Sequence, residues 1–278
     1  MRSRPTPTSP VRSAPRAWRR ACALAWVGVL LVPVVAGSGC KKGEPAFEEV
    51  PPAEELWEEG HKRLEGRNIF GWRWINYGKA IESFQAIVDN YPYSEYEIDA
   101  ELEIADAYYK DKKYEEALSY YRDFAELHPA HAKVPYTVLR SALCHYEQIE
   151  SIDRDQTNTR AAMEILEELL RRFPYSPETK EGEVILFELR TRLAENVMEI
   201  GDFYLVRDQH QSAASRYRTV LDEYPGLGLD AEALYKLGLC YEHMKLEDEA
   251  LRLYHVVVEN FRNTDLAARA AERIAKAH

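Results

Sequence analysis

Two stretches decide the architecture: GDFYLVRDQHQSAASRYRTVLDEYP (Gly201–Pro225) and, 37 residues further on, GLCYEHMKLEDEALRLYHVVVENFR (Gly238–Arg262). Each opens on a glycine, places a tyrosine three residues later and an alanine twelve residues later, and sets a second tyrosine four beyond the alanine. That alanine recurs as Ala80, Ala117, Ala162, Ala213 and Ala250, followed at +4 by Phe84, Tyr121, Leu166, Tyr217 and Tyr254. At +12 stand Pro92, Pro129, Pro174, Pro225 and, out of pattern, Arg262. Self-similarity of this kind, without sustained strand-type alternation, predicts an all-α solenoid of stacked helix pairs. Small residues at two fixed points let paired helices approach closely, so enlarging such an alanine should cost about 1–3 kcal/mol.

The small residue and tyrosine of the first helix (Ala105 and Tyr108, Gly201 and Tyr204, Gly238 and Tyr241) resemble the tetratricopeptide-repeat (TPR) pattern, as do the alanine, aromatic and proline of the second. Breakers and caps predict five helix pairs at about 54–92, 95–129, 131–174, 178–225 and 229–262, closed by a capping helix at 264–277. Ser94 with Glu97 reads as a capping box for the second pair, and Ser176 before Pro177 as the cap of the fourth. Two insertions break the unit: Gly60 lies 20 residues before Ala80 where twelve is usual, and the alanine spacings of 37, 45, 51 and 37 residues are unequal. One, GRNIFGWRWIN (Gly66–Asn76), brings Phe70, Trp72 and Trp74 together; Trp72 or Trp74 is expected to fold back, leaving one ring for a partner. The other is a loop at Ile149–Asn158.

The first 39 residues hold six arginines, no acid and an apolar run from Ala21 to Ala36 that ends in Gly37-Ser38-Gly39-Cys40. This describes a secretory signal; a spanning helix needs ~20 apolar residues. The segment resembles a lipobox with Cys40 as the acylated mature N-terminus, although Gly37 stands where an aliphatic residue is usual; ordinary cleavage nearby is the alternative. Residues 40–53 would then be a polar tether, and Lys41 resembles an outer-membrane address. Cleavage would leave 30 basic residues (36 less the six arginines) against 47 acidic, a formal charge of −17. Such acidity argues against nucleic acid as a partner.

No phosphate-binding glycine loop, GxSxG elbow or HExxH occurs, so neither an enzyme nor a cofactor is predicted. His128 and His131, with Pro129 between them, read as a turn and not a metal site; Cys144 and Cys240 read as separate buried hydrophobes. Positions of the first helix that would line a concave face are Trp57, His61 and Leu64, then Leu102, Asp106 and Tyr109, then Met198, Asp202 and Leu205. The first two sets suit an extended, partly aromatic peptide; packing against neighbouring helices would select many of the same residues.

Four segments sharpen this reading: ADAYYKDKKYEEALSYYRDFAELHPAHAKVPY (Ala105–Tyr136), DRDQTNTRAA (Asp153–Ala162), RRFPYSPET (Arg171–Thr179) and ELRTRLAE (Glu188–Glu195). Together they resemble the BamD family, the TPR lipoproteins of the outer-membrane β-barrel assembly machinery (BAM). The resemblance implies a lipid-anchored subunit on the periplasmic face of the outer membrane. It implies that the first repeats receive unfolded outer-membrane β-barrel proteins. The last repeats would bind a POTRA domain of BamA, with Arg216 as the contacting arginine, alongside other BAM lipoproteins. The aromatic insertion departs from the family pattern. A TPR scaffold for pilus, cell-division or peptidoglycan machinery is the alternative.

Overall fold

The computed structural model describes residues 50–69 and 72–277. Among them, α1 (Ala53–Glu65) leads into a hairpin of β1 (Arg67–Ile69) and β2 (Trp72–Trp74). Then come α2 (Tyr77–Asn90), α3 (Glu97–Lys110), α4 (Tyr114–Leu127), α5 (Val134–Tyr146) and α6 (Thr157–Arg172). The series continues with α7 (Pro177–Leu205), α8 (His210–Glu223), α9 (Asp230–His243), α10 (Glu247–Asn260) and α11 (Asp265–Ala277). Every helix packs on the next in chain order, the all-α stacking expected of a TPR-like solenoid. No helix among the described residues is long and apolar enough to cross a membrane. The signal segment, Cys40, most of the tether and Phe70 lie outside the described residues.

The small residues act as their spacing predicts. A Cβ on Gly201 would lie 2.6 Å from the Tyr217 ring, and one on Gly238 2.6 Å from the Tyr254 ring, so each ring fills the volume that a side chain would need. The five alanines of the second helices are almost completely enclosed. The long α7 belongs to two cores. Leu186 and Leu189 pack with Leu166 and Leu169 of α6, whereas Ala194 and Met198 pack with Ala213 and Tyr217 of α8. Cys144 and Cys240 are buried and unpaired, and burial pushes their thiols up to about 12 and about 11.

The boundaries show one cap formed and one lost. Ser176 caps α7, accepting from the Thr179 N–H at 3.3 Å with Pro177 in the first turn. Ser94 forms no capping box: α3 begins only at Glu97, and the turn before it is closed by backbone bonds from Ser94 N to Tyr91 O and from Glu97 N to Ser94 O. The Ser94 hydroxyl is left buried without a partner. The first insertion is also a correction, because a two-stranded antiparallel hairpin replaces the strand-free reading.

The second insertion is organised around Gln156, which is 3 % exposed. Its amide donates to the carbonyls of Ser151, Ile152 and Arg154 at 3.1–3.2 Å and its oxygen accepts from Thr159 at 2.9 Å. Asn196 on α7 then donates to the Ile152 carbonyl at 2.7 Å, and Arg192 donates to that of Glu150. One glutamine thus turns a loop into a brace between α5, α6 and α7.

Candidate binding face

Polar side chains meet in a recurring arrangement where three successive helices come together. In α3, Asp106 accepts from the hydroxyl of Tyr121 on α4 (2.5 Å) and from that of Tyr136 on α5 (2.7 and 2.8 Å). Arg140 of α5 completes the group, with its Nε donating to the Tyr121 hydroxyl at 3.2 Å and lying 3.8 Å from Asp106. In α7, Asp202 accepts from Tyr217 of α8 (2.7 Å) and from Lys236 of α9 (2.7 Å). In α9, Glu242 accepts from Tyr254 of α10 (2.9 Å) and from Arg273 of α11 (3.0 Å). Each cation lies 19 residues after its tyrosine. In each group the acid gathers the phenol of the next helix and the cation of the one after it, joining one helix pair to the next; at Tyr121 the cation also donates to the phenol.

The remaining pairs vary this theme. In the first, Phe84 replaces the tyrosine, with His61 in the acid's place and Glu103 at +19, reversing the polarity. In the third, Leu166 and Ile185 make the junction apolar. The second group is the most enclosed, with Asp106 and Arg140 side chains 19 % and 18 % exposed, against 42 % and 39 % for Glu242 and Arg273. Burial first, then the neighbouring carboxylate, raises the Tyr121 and Tyr136 hydroxyls far above the ordinary tyrosine value, so they stay protonated donors.

The predicted face residues fall into three groups. Trp57 packs edge-on against His61 (4.5 Å) and Phe84 (5.5 Å) and against Tyr96 (5.5 Å), and His61 also meets Phe84 at 5.3 Å. Leu64 is half-buried in the same cluster. Leu102 is only 7 % exposed, within the core that holds Phe124 and Val138, and Met198 is similarly enclosed. Asp106 and Tyr109 remain partly exposed. Tyr109 lies under the Arg140 guanidinium, 3.7 Å from ring centre to Cζ, and its hydroxyl donates to Glu147 at 3.4 Å. Burial, then Glu147, pushes that hydroxyl up to about 12. Tyr136 and Arg140 belong to this site and were not anticipated, although the 19-residue interval was visible in the chain.

Arg216 is exposed on α8, beside the Tyr217 of the fourth group, and makes no ion pair among the described residues. Trp74 is 71 % exposed, the ring left free; the Trp72 side chain and Phe70 lie outside the described set. No group of His, Cys, Asp and Glu among the described residues could hold a metal.

Comparison with known proteins follows the same outline. A family profile described as "YfiO: Outer membrane lipoprotein" matches residues 52–276. "Outer membrane protein assembly factor BamD" of Rickettsia prowazekii is 30 % identical over 236 residues, covering 85 % of this chain and 90 % of its own length. The protein of the same name from Caulobacter vibrioides is 29 % identical over 234 residues, covering 84 % of this chain and 74 % of its own. That from Vibrio cholerae is 29 % identical over 218 residues, covering 72 % and 87 %.

Proposed function

This chain belongs to the YfiO outer membrane lipoprotein family, that of the BamD assembly factors, and from that premise we propose that it couples unfolded barrel proteins to BamA. The family places it in outer-membrane protein assembly and works by association, not catalysis. The observation that carries the reading is the match over nearly the whole solenoid, residues 52–276, including the irregular third pair.

In this reading Cys40 is the acylated N-terminus, and the solenoid lies on the periplasmic face of the outer membrane. An extended barrel strand, with unpaired backbone groups and alternating aromatics, is received along α1 and α3. Trp57, His61 and Leu64 offer apolar edges to it, Leu102 supports the floor, and Asp106 and Tyr109 offer polar ones. At the other end Arg216 meets a carboxylate of a BamA POTRA domain, with the other BAM lipoproteins around the complex. An exposed pair of that kind contributes only about 0–1 kcal/mol, so the surrounding area must supply most of the affinity.

Photo-crosslinkers at Tyr109 and Arg216 in intact cells test both ends. Barrel proteins at the first position and BamA at the second are the expected products. Recovery at both of pilus, cell-division or peptidoglycan proteins instead would move this chain to the scaffold reading.

A further inference from the structure

One junction between helix pairs lacks its link. In the second, fourth and fifth pairs a tyrosine hydroxyl and a cation 19 residues after it both meet the acid of the first helix, Asp106, Asp202 or Glu242. The first pair has Phe84, which carries no hydroxyl, with His61 in the acid's place and Glu103 in the cation's. Along α3, Glu101 is held by His128 at 2.8 Å, and Asp106 by Tyr121, Tyr136 and Arg140. Glu103 stands between them half-buried, with no hydrogen-bond or ion-pair partner among the described residues.

Its surroundings leave it short of a donor. Burial above all raises the Glu103 carboxyl from the ordinary glutamate value; His61 and then Lys110 oppose the rise, and Asp106 and Asp99 add to it. The His61 ring is engaged edge-on with Trp57 at 4.5 Å and with Phe84 at 5.3 Å. Tyr136 of α5, which feels Glu103 after burial and Asp106, already donates its hydroxyl to Asp106 at 2.7 Å. A carboxylate partly withdrawn from water and given no donor is unfavourable in the free protein. A ligand that brings a charged donor to it gains a contact that no side chain of the fold supplies.

We infer that Glu103 selects among extended strands by taking a lysine or arginine side chain; this rests on the reading of α1 and α3 as the strand-receiving face. Side chains of a strand alternate, so a basic residue with an aromatic two positions away on either side turns all three to one face. The aromatics then meet Trp57 and Tyr109 while the cation meets Glu103. Asp106 cannot take this role, because two phenols and Arg140 already engage it. An acidic residue at the same point of the strand is repelled by Glu103, so one position both attracts and excludes.

The test measures binding of short peptides of alternating aromatic and polar residues to the full chain purified from membranes. The peptides differ only in a central lysine, norleucine or glutamate, and blocked ends leave the side chain as the sole source of charge there. The lysine peptide should bind about tenfold more tightly than the norleucine one, and the glutamate peptide more weakly than both. Glu103→Gln should bring the lysine and norleucine peptides within about twofold of each other without changing the norleucine affinity. Glu103→Lys should reverse the order of the lysine and glutamate peptides, and circular dichroism would verify that both variants keep the helical fold. A chain that binds all the peptides alike overturns the selection, as does Glu103→Gln weakening the lysine and norleucine peptides equally, which a merely structural residue would do. Binding lost in Trp57→Ala but indifferent to Glu103 sinks the selection and leaves the strand-receiving face standing. Failure of every peptide to bind removes that face and the selection with it.

Discussion

The hydroxyl of Tyr121 donates to Asp106 on the preceding helix and accepts from Arg140 on the following one. One phenol thereby links three helices and two repeats. At Tyr217 and Tyr254 the acid is the meeting point instead: Asp202 accepts from Tyr217 and Lys236, and Glu242 from Tyr254 and Arg273. Because solenoid stability is a sum of repeats and the interfaces between neighbours, such links set how cooperatively the array unfolds.

Tyr121→Phe should lower stability by about 1–2 kcal/mol, since Asp106 and Arg140 lose a shared partner in an enclosed place. Tyr254→Phe should cost less, because Glu242 and Arg273 are roughly twice as exposed and water can replace the phenol. Urea unfolding of the two variants side by side checks the order; an equal or reversed cost would refute the role given to enclosure.

Gly201→Ala should destabilise by about 1–3 kcal/mol, because the added methyl meets the Tyr217 ring at 2.6 Å. Gly78→Ala should do the opposite, gaining about 0.5 kcal/mol, since its nearest neighbour, Asn76 Oδ1, lies 3.8 Å away and alanine favours the helix. Thermal melts of both give the two signs.

Lys112, Asp208 and Lys245 occupy the same turn of three repeats in left-handed backbone, with φ of 61°, 58° and 64°. Replacing Lys112 or Lys245 by glycine should relieve this strain and raise stability by about 0.5–1 kcal/mol each. The denaturation midpoint is the readout.

Gln156→Ala should cost about 2–4 kcal/mol, because three carbonyls gathered by one buried amide lose their donor. Hydrogen exchange should show the 149–158 loop and its contact with α7 opening before the rest. Protection unchanged in that loop would contradict its organisation around Gln156.

Alkaline pH should unfold the second repeat. The Tyr109 hydroxyl ionises near 10 when unfolded but is pushed up to about 12 in the fold. The folded state therefore binds the proton more tightly, and the stability this contributes is complete below pH 10 and lost as pH rises towards 12. Denaturation at a series of pH values should show that loss, and Tyr109→Phe should make it shallower.

The helix pairs were legible because their causes are local and periodic. A small residue facing a ring at fixed spacing lets the helices of a pair close, and Ser176 with Pro177 acts within its own turn. The failure of Ser94 has the opposite origin: backbone bonds across the Tyr91–Glu97 turn closed it before the hydroxyl could act. The hairpin was not legible, because three-residue strands carry too little alternation to stand out beside helical signals.

By itself, the sequence determined the all-α repeat, its irregular spacing and its family, since each is written in residues near one another along the chain. Only the tertiary structure decided which face residues are free. Leu102 went into the core while Asp106, four residues on, stayed within reach of solvent, because neighbouring helices cover one side of α3 and not the other. The union of Asp106, Tyr121, Tyr136 and Arg140 likewise depends on how three helices lean together, a distance that no interval along the chain records.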